Sequence, residues 1–211
     1  DITVQTAILE ARFICGNKHL FEELQQSFFK QIDAADFFRA KALEMRQRHQ
    51  KHEDTPYSLE PNVKESPGGL RDLHVLFWCS QAAGLGASAE EMLASGTLAP
   101  READTLKEVH HALQTIRIYL HLIAKRHEDR LIFDIQTPVA QAAGYKDTEH
   151  QLASEALMKR YYLTAKTVRQ LTDIFMQMFE DKFFGENHVQ ETVIDRTFIA
   201  RGYTLDITHD G

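Results

Sequence analysis

Apolar positions recur at intervals of three and four residues from the first residue to about residue 185, the signature of amphipathic helices packed on one another. Asp1 can cap a first helix whose Ile2, Thr6, Leu9 and Phe13 share a face, with Gly16 as its stop. Leu20, Phe21, Leu24, Phe28 and Ile32 form a second stripe. Phe37, Phe38, Lys41 and Met45 begin a third, whose polar run to Glu53 predicts a solvated end. A fourth helix carries Leu70, Leu73, Leu76, Phe77 and Ser80 and ends near Gly84. Ser88 and Glu91 make a capping box for a short fifth helix before Gly96. Pro100 opens a long sixth helix with Leu106, Val109, Leu113, Ile116, Leu120 and Ile123 on one side. Leu131 to Phe133 reads as extended, and Thr137-Pro138 as the start of a brief helix closed by Gly144. The last helix is expected from Thr148 to Phe184, about 37 residues or about 55 Å, on a stripe of Leu157, Tyr161, Ala165, Val168, Thr172, Phe175 and Phe179. Beyond Gly185 the period changes. Val193-Ile194, Phe198-Ile199 and Tyr203 to Ile207 read as strands, with Arg201-Gly202 at a turn. The predicted fold is all-α, an irregular helical bundle with one very long C-terminal helix and a short β-like tail. Residues 1–184 form the helical domain and 185–211 a strand-like linker.

Composition narrows the function classes. The chain has 211 residues, 43% hydrophobic and 26% charged, enough apolar surface for a sizeable core. Its formal net charge of −7 argues against a nucleic-acid binder, which needs a basic surface to release counterions. No apolar run approaches the ~20 residues that span a bilayer, and no signal segment opens the chain, so a reducing cytoplasm is the default expectation. Cys15 and Cys79 both lie in apolar helical patterns and read as small buried thiols; two cysteines make neither a disulfide framework nor a zinc site. Both ends look cut from a longer protein.

The pattern breaks once inside the helical region. Between Asp54 and Gly69, Pro56, Pro61, Pro67, Gly68 and Gly69 punctuate a loop of about sixteen residues, a length that is often functional. Adjacent glycines before a helix let the backbone approach a ligand, and the first-turn N–H groups carry partial positive charge. Lys64 and Arg71 add two cations, so a phosphate is one occupant of this turn. The other reading is a tight structural turn in which Arg71 pairs with a helix end or with an acid such as Asp72 or Glu60. No Gly-Lys-Ser/Thr closes the loop, so it is not a Walker motif.

The stretch Leu59-Glu60-Pro61-Asn62-Val63-Lys64-Glu65-Ser66-Pro67-Gly68-Gly69-Leu70-Arg71-Asp72-Leu73 resembles the signature of the bifunctional PII uridylyltransferase/uridylyl-removing enzymes. It is also similar to the Gly-Gly-Ile-Arg-Glu element of the glutamine-synthetase adenylyltransferases, but Ser66-Pro67 and the Leu-Arg-Asp-Leu-His order are nearer the uridylyltransferase form. The resemblance continues in Asp1-Ile2-Thr3-Val4 with Glu10-Ala11-Arg12, in Arg46-Gln47-Arg48-His49, in Leu120-His121-Leu122, in Asp129-Arg130-Leu131-Ile132-Phe133-Asp134 and in Tyr161-Tyr162.

What the resemblance implies is a multidomain enzyme. A nucleotidyltransferase domain holding Mg²⁺ on paired aspartates comes first, then a helical domain matching this chain, an HD phosphohydrolase domain and two ACT domains that sense glutamine. Such an enzyme transfers UMP from UTP to a tyrosine of PII signalling protein and removes it again. No Gly-Ser or Gly-Gly turn leading to Asp-x-Asp stands near the start of the chain, so the Mg²⁺ ligands are expected upstream of Asp1 and the chain alone is expected to be inactive. The resemblance makes Lys64, Ser66, Gly68, Gly69, Arg71 and Asp72 candidate nucleotide-binding residues, with Asp72 orienting Arg71. A competing reading makes the turn structural and the long last helix a docking surface for PII or a neighbouring domain.

The histidines do not change this. His110 and His111 project about 100° apart on a helix and cannot readily share an ion. His49, His52 and Glu53 form only a weak ligand pattern on a helix end expected to be solvated. His209-Asp210 reads as a turn without a helical His to join it, and the aromatic residues of the last helix read as core.

Overall fold

A computed structural model describes residues 1–185, 191–193, 198–201 and 204–207. Among the described residues eight helices follow one another: α1 (Ile2–Leu9), α2 (Lys18–Gln31), α3 (Ala34–Lys51), α4 (Leu70–Ala82), α5 (Ala89–Ala94), α6 (Pro100–Ala124), α7 (Phe133–Ala142) and α8 (Ala153–Phe184). Strands β1 (Glu191–Val193), β2 (Phe198–Arg201) and β3 (Thr204–Ile207) pair antiparallel in that order. Ile194, Gly202, Tyr203 and His209-Asp210 lie outside the described residues. The chain divides into two compact units, Asp1–Phe175 and Met176–Gly211. Among the described residues no helix is long and apolar enough to cross a membrane.

The first unit is built as its periodicity requires. Side-chain oxygens of Asp1, Asn17, Asp33 and Ser88 accept first-turn N–H groups and so fix four helix starts. Helix α4 packs against α1, α3 and α6, while α5 and α7 pack on α6. Leu70, Leu73 and Leu76 of α4 are buried, as are Leu106, Leu113 and Leu120 of α6. Every residue of the predicted α8 stripe that lies in this unit is buried, from Leu157 to Phe175.

Five expectations are corrected. Helix α1 ends at Leu9 rather than near Gly16, because its last turn docks on α4: Gln81 Nε2 donates to the Leu9 carbonyl at 3.2 Å, and Glu10 accepts from Trp78 Nε1 at 2.9 Å. Its expected face residue Phe13 is left exposed, and Cys15, read as a buried thiol, is exposed too. Only Cys79 is buried, and burial pushes its thiol up to about 12. Helix α2 forms, but none of its residues is buried and Leu20 and Leu24 stand open to solvent. Helix α7 starts four residues before Thr137, with Pro138 inside it. Helix α8 starts at Ala153 rather than Thr148, since Asp147 Oδ1 takes the Ala153 N–H at 2.7 Å and Thr148 Oγ1 the Gln151 N–H at 3.1 Å.

The end of α3, expected to be solvated, turns inward. Arg48 and His49 reach a carboxylate with no exposed surface, Asp72 of α4. Arg48 Nη2 donates to Oδ1 at 2.8 Å, His49 Nε2 lies 2.9 Å from Oδ1 and 3.1 Å from Oδ2, and the Gly68 N–H donates to Oδ2 at 2.7 Å. Arg48 Nη1 also donates to the Glu65 carbonyl at 3.3 Å. One carboxylate thus joins α3, α4 and the loop between them. Burial alone would raise the Asp72 pKa, but the His49 hydrogen bond, the Arg48 charge and the Gly68 N–H together hold it below its ordinary 3.8.

The loop is also clamped from its other side. Gly68 has φ +78°, and a Cβ there would fall 2.2 Å from the Ala165 carbonyl oxygen of α8. Tyr162 Oη donates to the Ser58 carbonyl at 3.1 Å, and Arg169 Nη1 to that of Asp54 at 3.0 Å. Behind it, Val63 N–H donates to the Asp129 carbonyl at 2.8 Å and Leu131 N–H to that of Pro61 at 2.9 Å, around an antiparallel bridge of Asn62 with Arg130. The stretch expected to be extended at Leu131 therefore serves as a partner for the loop.

Two stability predictions follow from these clamps. Gly68→Ala adds both a left-handed strain and a backbone collision, and is expected to cost about 3 kcal/mol or more; urea unfolding compared with wild type measures it. Asp72→Asn leaves Arg48 without its buried counter-charge, at an expected loss of about 3–5 kcal/mol near pH 7. Because the folded-state pKa of Asp72 is depressed, its contribution is present above the ordinary value and is lost as pH falls through the folded value. The gap between wild type and Asp72→Asn in urea midpoints is therefore expected to close below about pH 4.

Candidate functional site

The turn that carries the candidate residues is built from its own side chains. Asn62 Oδ1 accepts the N–H groups of Lys64 and Glu65 at 3.0 and 2.7 Å, and Ser66 Oγ accepts that of Asn62 at 3.0 Å. The amides expected to face a phosphate already have acceptors. Gly69 N–H donates to Ser66, Leu70 N–H to Val63, Arg71 N–H to Lys64 and Asp72 N–H to Gly69, all at carbonyls within 2.8–3.1 Å. Gly68 N–H is held by Asp72. The start of α4 is thus not a free anion site.

The six sequence-predicted residues separate into two groups. Ser66, Gly68, Gly69 and Asp72 are buried, with their polar groups used inside the turn. A Cβ on Gly69 would crowd the carbonyls of Val63, Lys64 and Ser66, each at 2.8 Å, so that glycine serves the turn rather than a ligand. Lys64 and Arg71 face outward with side chains 27% and 26% exposed. Arg71 does not take Asp72 or Glu60 as its partner. Asp72 is occupied by α3, and Arg71 Nη2 instead pairs with Glu65 Oε1 at 3.3 Å, while Lys64 Nζ lies 3.4 Å from the same oxygen. The Arg71 guanidinium also lies over the Trp78 ring, 5.5 Å from its centroid, as does Lys41 Nζ at 4.7 Å.

Residues outside the motif complete this face. Arg117 of α6 donates to Asp129 Oδ1 at 2.7 Å, and His121 Nε2 lies 3.2 Å from the same atom. Burial opposes ionisation of Asp129, but the Arg117 and His121 hydrogen bonds and the charges of Arg117 and Lys64 hold its pKa below the ordinary value. His74 lies one turn beyond Arg71 on α4, its ring 6.4 Å from that of His110. Burial first, and then the nearby charges of Arg71, His110, Arg117 and Lys64, push its pKa down to about 4. The imidazole is therefore neutral at pH 7. Lys64, Arg71 and Arg117 set three cations against the two carboxylates of Glu65 and Asp129, a local excess of positive charge on an otherwise acidic chain.

Sequence reasoning missed Arg48, His49, Arg117 and Asp129 as parts of this assembly. Arg48 and His49 fall in a polar run that resembles a solvated helix end, and only their separation of 24 and 23 residues from Asp72 in the folded contacts explains them. Among the described residues, no group of three or more His, Cys, Asp or Glu stands together to hold a metal ion.

The comparisons with known proteins agree with the motif. The family model described as GlnD PII-uridylyltransferase matches residues 36–176. The bifunctional uridylyltransferase/uridylyl-removing enzyme of Cupriavidus metallidurans is 50% identical over 210 residues, covering 100% of this chain and 24% of the relative. Those of Cupriavidus pinatubonensis and Burkholderia lata are 49% and 47% identical, again over the whole chain and 24% and 25% of the relative. The chain therefore spans about a quarter of the length of the curated relatives it matches. No solved structure matches it. With its Lys64–Asp72 turn inside the matched region, the chain belongs to the PII-uridylyltransferase family.

Proposed function

We propose that the protein carrying this chain is a cytoplasmic bifunctional uridylyltransferase/uridylyl-removing enzyme, and that this helical domain forms one wall of its nucleotide pocket. Identity of 47–50% along the entire chain with proteins of that name supports the activity. One observation supports the role: Lys64 and Arg71 are poised on a single carboxylate, Glu65, at the rim of a turn whose amides and buried side chains are otherwise used internally. In this reading Lys64 and Arg71 contact the UTP phosphates, while Ser66, Gly68, Gly69 and Asp72 position them.

The reaction transfers UMP to a tyrosine of PII. The tyrosine oxygen bonds to the α-phosphorus, its proton leaves, and the bond to the β-phosphate oxygen breaks to release pyrophosphate. Lys64 and Arg71 orient the phosphates and balance charge on the departing group. Mg²⁺ supplies the remaining charge neutralisation. Its ligands are assigned to residues outside this chain, because Asp72, Asp129 and Glu65 are committed to Arg48, Arg117 and Arg71. Removal of UMP by an HD domain and control by glutamine through ACT domains belong to the same proposal and lie outside this chain.

A second reading has an observation in its favour. Helix α2 forms an amphipathic helix with no buried residue, and α8 leaves Leu163 and Ile174 exposed, as a segment that docks PII or a neighbouring domain would. In the intact enzyme, Arg71→Gln is expected to raise KM for UTP about tenfold or more and to leave PII binding within twofold of wild type. Steady-state kinetics and PII titration decide. Loss of PII binding with an unchanged KM for UTP makes this a docking segment and ends the nucleotide assignment.

A further inference from the structure

Arg71 and Trp78 share one face of α4, two helical turns and about 10 Å apart along its axis. The guanidinium nevertheless reaches the ring, 5.5 Å from its centroid, so the two side chains extend toward each other along the helix. The ring it meets is fixed. Trp78 is buried, and its indole N–H donates to Glu10 Oε1 at 2.9 Å, next to the Leu9 carbonyl that Gln81 holds. His74 packs on the same ring, centroids 5.7 Å apart, and being neutral at pH 7 brings no rival charge to it. Arg71 is thus restrained in two different ways. Glu65 takes one of its N–H donors at 3.3 Å, whereas Trp78 takes none. A phosphate arriving at Arg71 competes with the Glu65 carboxylate for those donors. It does not compete with the ring, because a cation–π contact draws on the charge of the guanidinium and leaves its N–H fork unspent.

We propose that Trp78 is a positioning residue for the transferase reaction: it holds the Arg71 guanidinium in place once the phosphates have displaced Glu65. The inference rests on the reading of Arg71 as a phosphate contact given above. It adds to that reading a buried residue that acts on the substrate only through Arg71. Among the described residues Glu65 is the one ion-pair partner of Arg71. Without the ring, a ligand that displaced Glu65 would free the long side chain and then have to order it again, at the cost of its rotamer entropy. Indole suits the task, since of the aromatic side chains it attracts cations most strongly. Glu10 strengthens it, because a carboxylate on the indole N–H pushes electron density toward the ring. The ring already serves a second cation in the same manner: Lys41 Nζ lies 4.7 Å from its centroid, with Glu44 as its carboxylate partner at 2.8 Å.

The test replaces Trp78 alone, in the intact enzyme, by mono-, di- and trifluorinated tryptophan. Fluorine withdraws electron density from the ring face while nearly preserving its shape, so packing is kept and the attraction for cations fades. KM for UTP is expected to rise stepwise with fluorine content, to about fivefold, with kcat within about twofold of wild type. In an Arg71→Gln background the same series is expected to leave KM unchanged, because the cation it acts on is gone. A KM that stays level or falls along the series overturns the positioning role, while Arg71 remains a phosphate contact if Arg71→Gln still raises KM. A rise that persists in Arg71→Gln also overturns it, since the effect then runs through Lys41 or the packing of α1. If Arg71→Gln itself leaves KM unchanged, the phosphate reading fails and the positioning role falls with it. Trp78→Phe, which keeps an aromatic face, replaces any fluorinated protein that melts below wild type, and is judged against Arg71→Gln by the same criteria.

Discussion

A carboxylate with no access to water cannot remain ionised unless its surroundings replace hydration, and Asp72 sets that condition for the whole assembly. Three donors meet it, from three different places: Arg48 and His49 at the end of α3, and the Gly68 amide in the loop. Each donor is in turn fixed by the requirement. Helix α3 must run far enough for Arg48 to arrive, and the loop must bend back until the Gly68 N–H points at α4. Gly68 can make that bend only with a positive φ and only where α8 leaves room for no side chain. The charge on one atom pair thereby determines the register of three helices relative to a loop.

The outward face of the same turn depends on this lock. Lys64 follows an Asn62 cap and Arg71 stands one residue before Asp72, so both are carried on a backbone fixed by the turn's own hydrogen bonds. Long cationic side chains usually sacrifice much rotamer freedom on binding an anion. Here Glu65 restrains both in advance, and the Trp78 ring lies beneath the guanidinium. That is preorganisation by a surrogate: the carboxylate stands where a phosphate oxygen of the proposed ligand would act, and the ligand must compete with it. Exposed pairs at such distances are weak, so the surrogate can hold the cations without closing the site.

Most of the fold was legible because helical periodicity is a local signal. The stripe of α8 and the capping residues of α1 and α5 needed only their neighbours in sequence. What was not legible involved distance along the chain. The motif around Gly68-Gly69 reads locally as a phosphate cradle, since adjacent glycines before a helix commonly free amides for a ligand. Its amides are instead taken by Val63, Lys64 and Ser66 carbonyls and by Asp72, and its glycines answer to Ala165 of α8, about a hundred residues away. Arg48 and His49 were hidden for the same reason. A polar run at a helix end has the same sequence whether it meets water or a buried acid. Helix α2 shows the converse, an apolar stripe that local patterning assigns to a core and that this chain leaves uncovered.

In the proposed reading, the separation of inward-turned from outward-turned residues is how this domain would serve a phosphoryl-transfer reaction. Such chemistry asks a protein mainly for position and for charge placed before the reaction begins. Position here comes from Asp72, Gly68 and Asn62, all turned inward, where substitution is felt as stability. Charge comes from Lys64, Arg71 and Arg117, all turned outward on side chains that the interior has already oriented. Trp78 links the two layers. Its ring lies under the outward Arg71 and the buried Lys41, and its indole N–H holds Glu10 just past the end of α1. A change in charge at Arg71 therefore acts on the same ring whose indole N–H fixes the residue that caps α1.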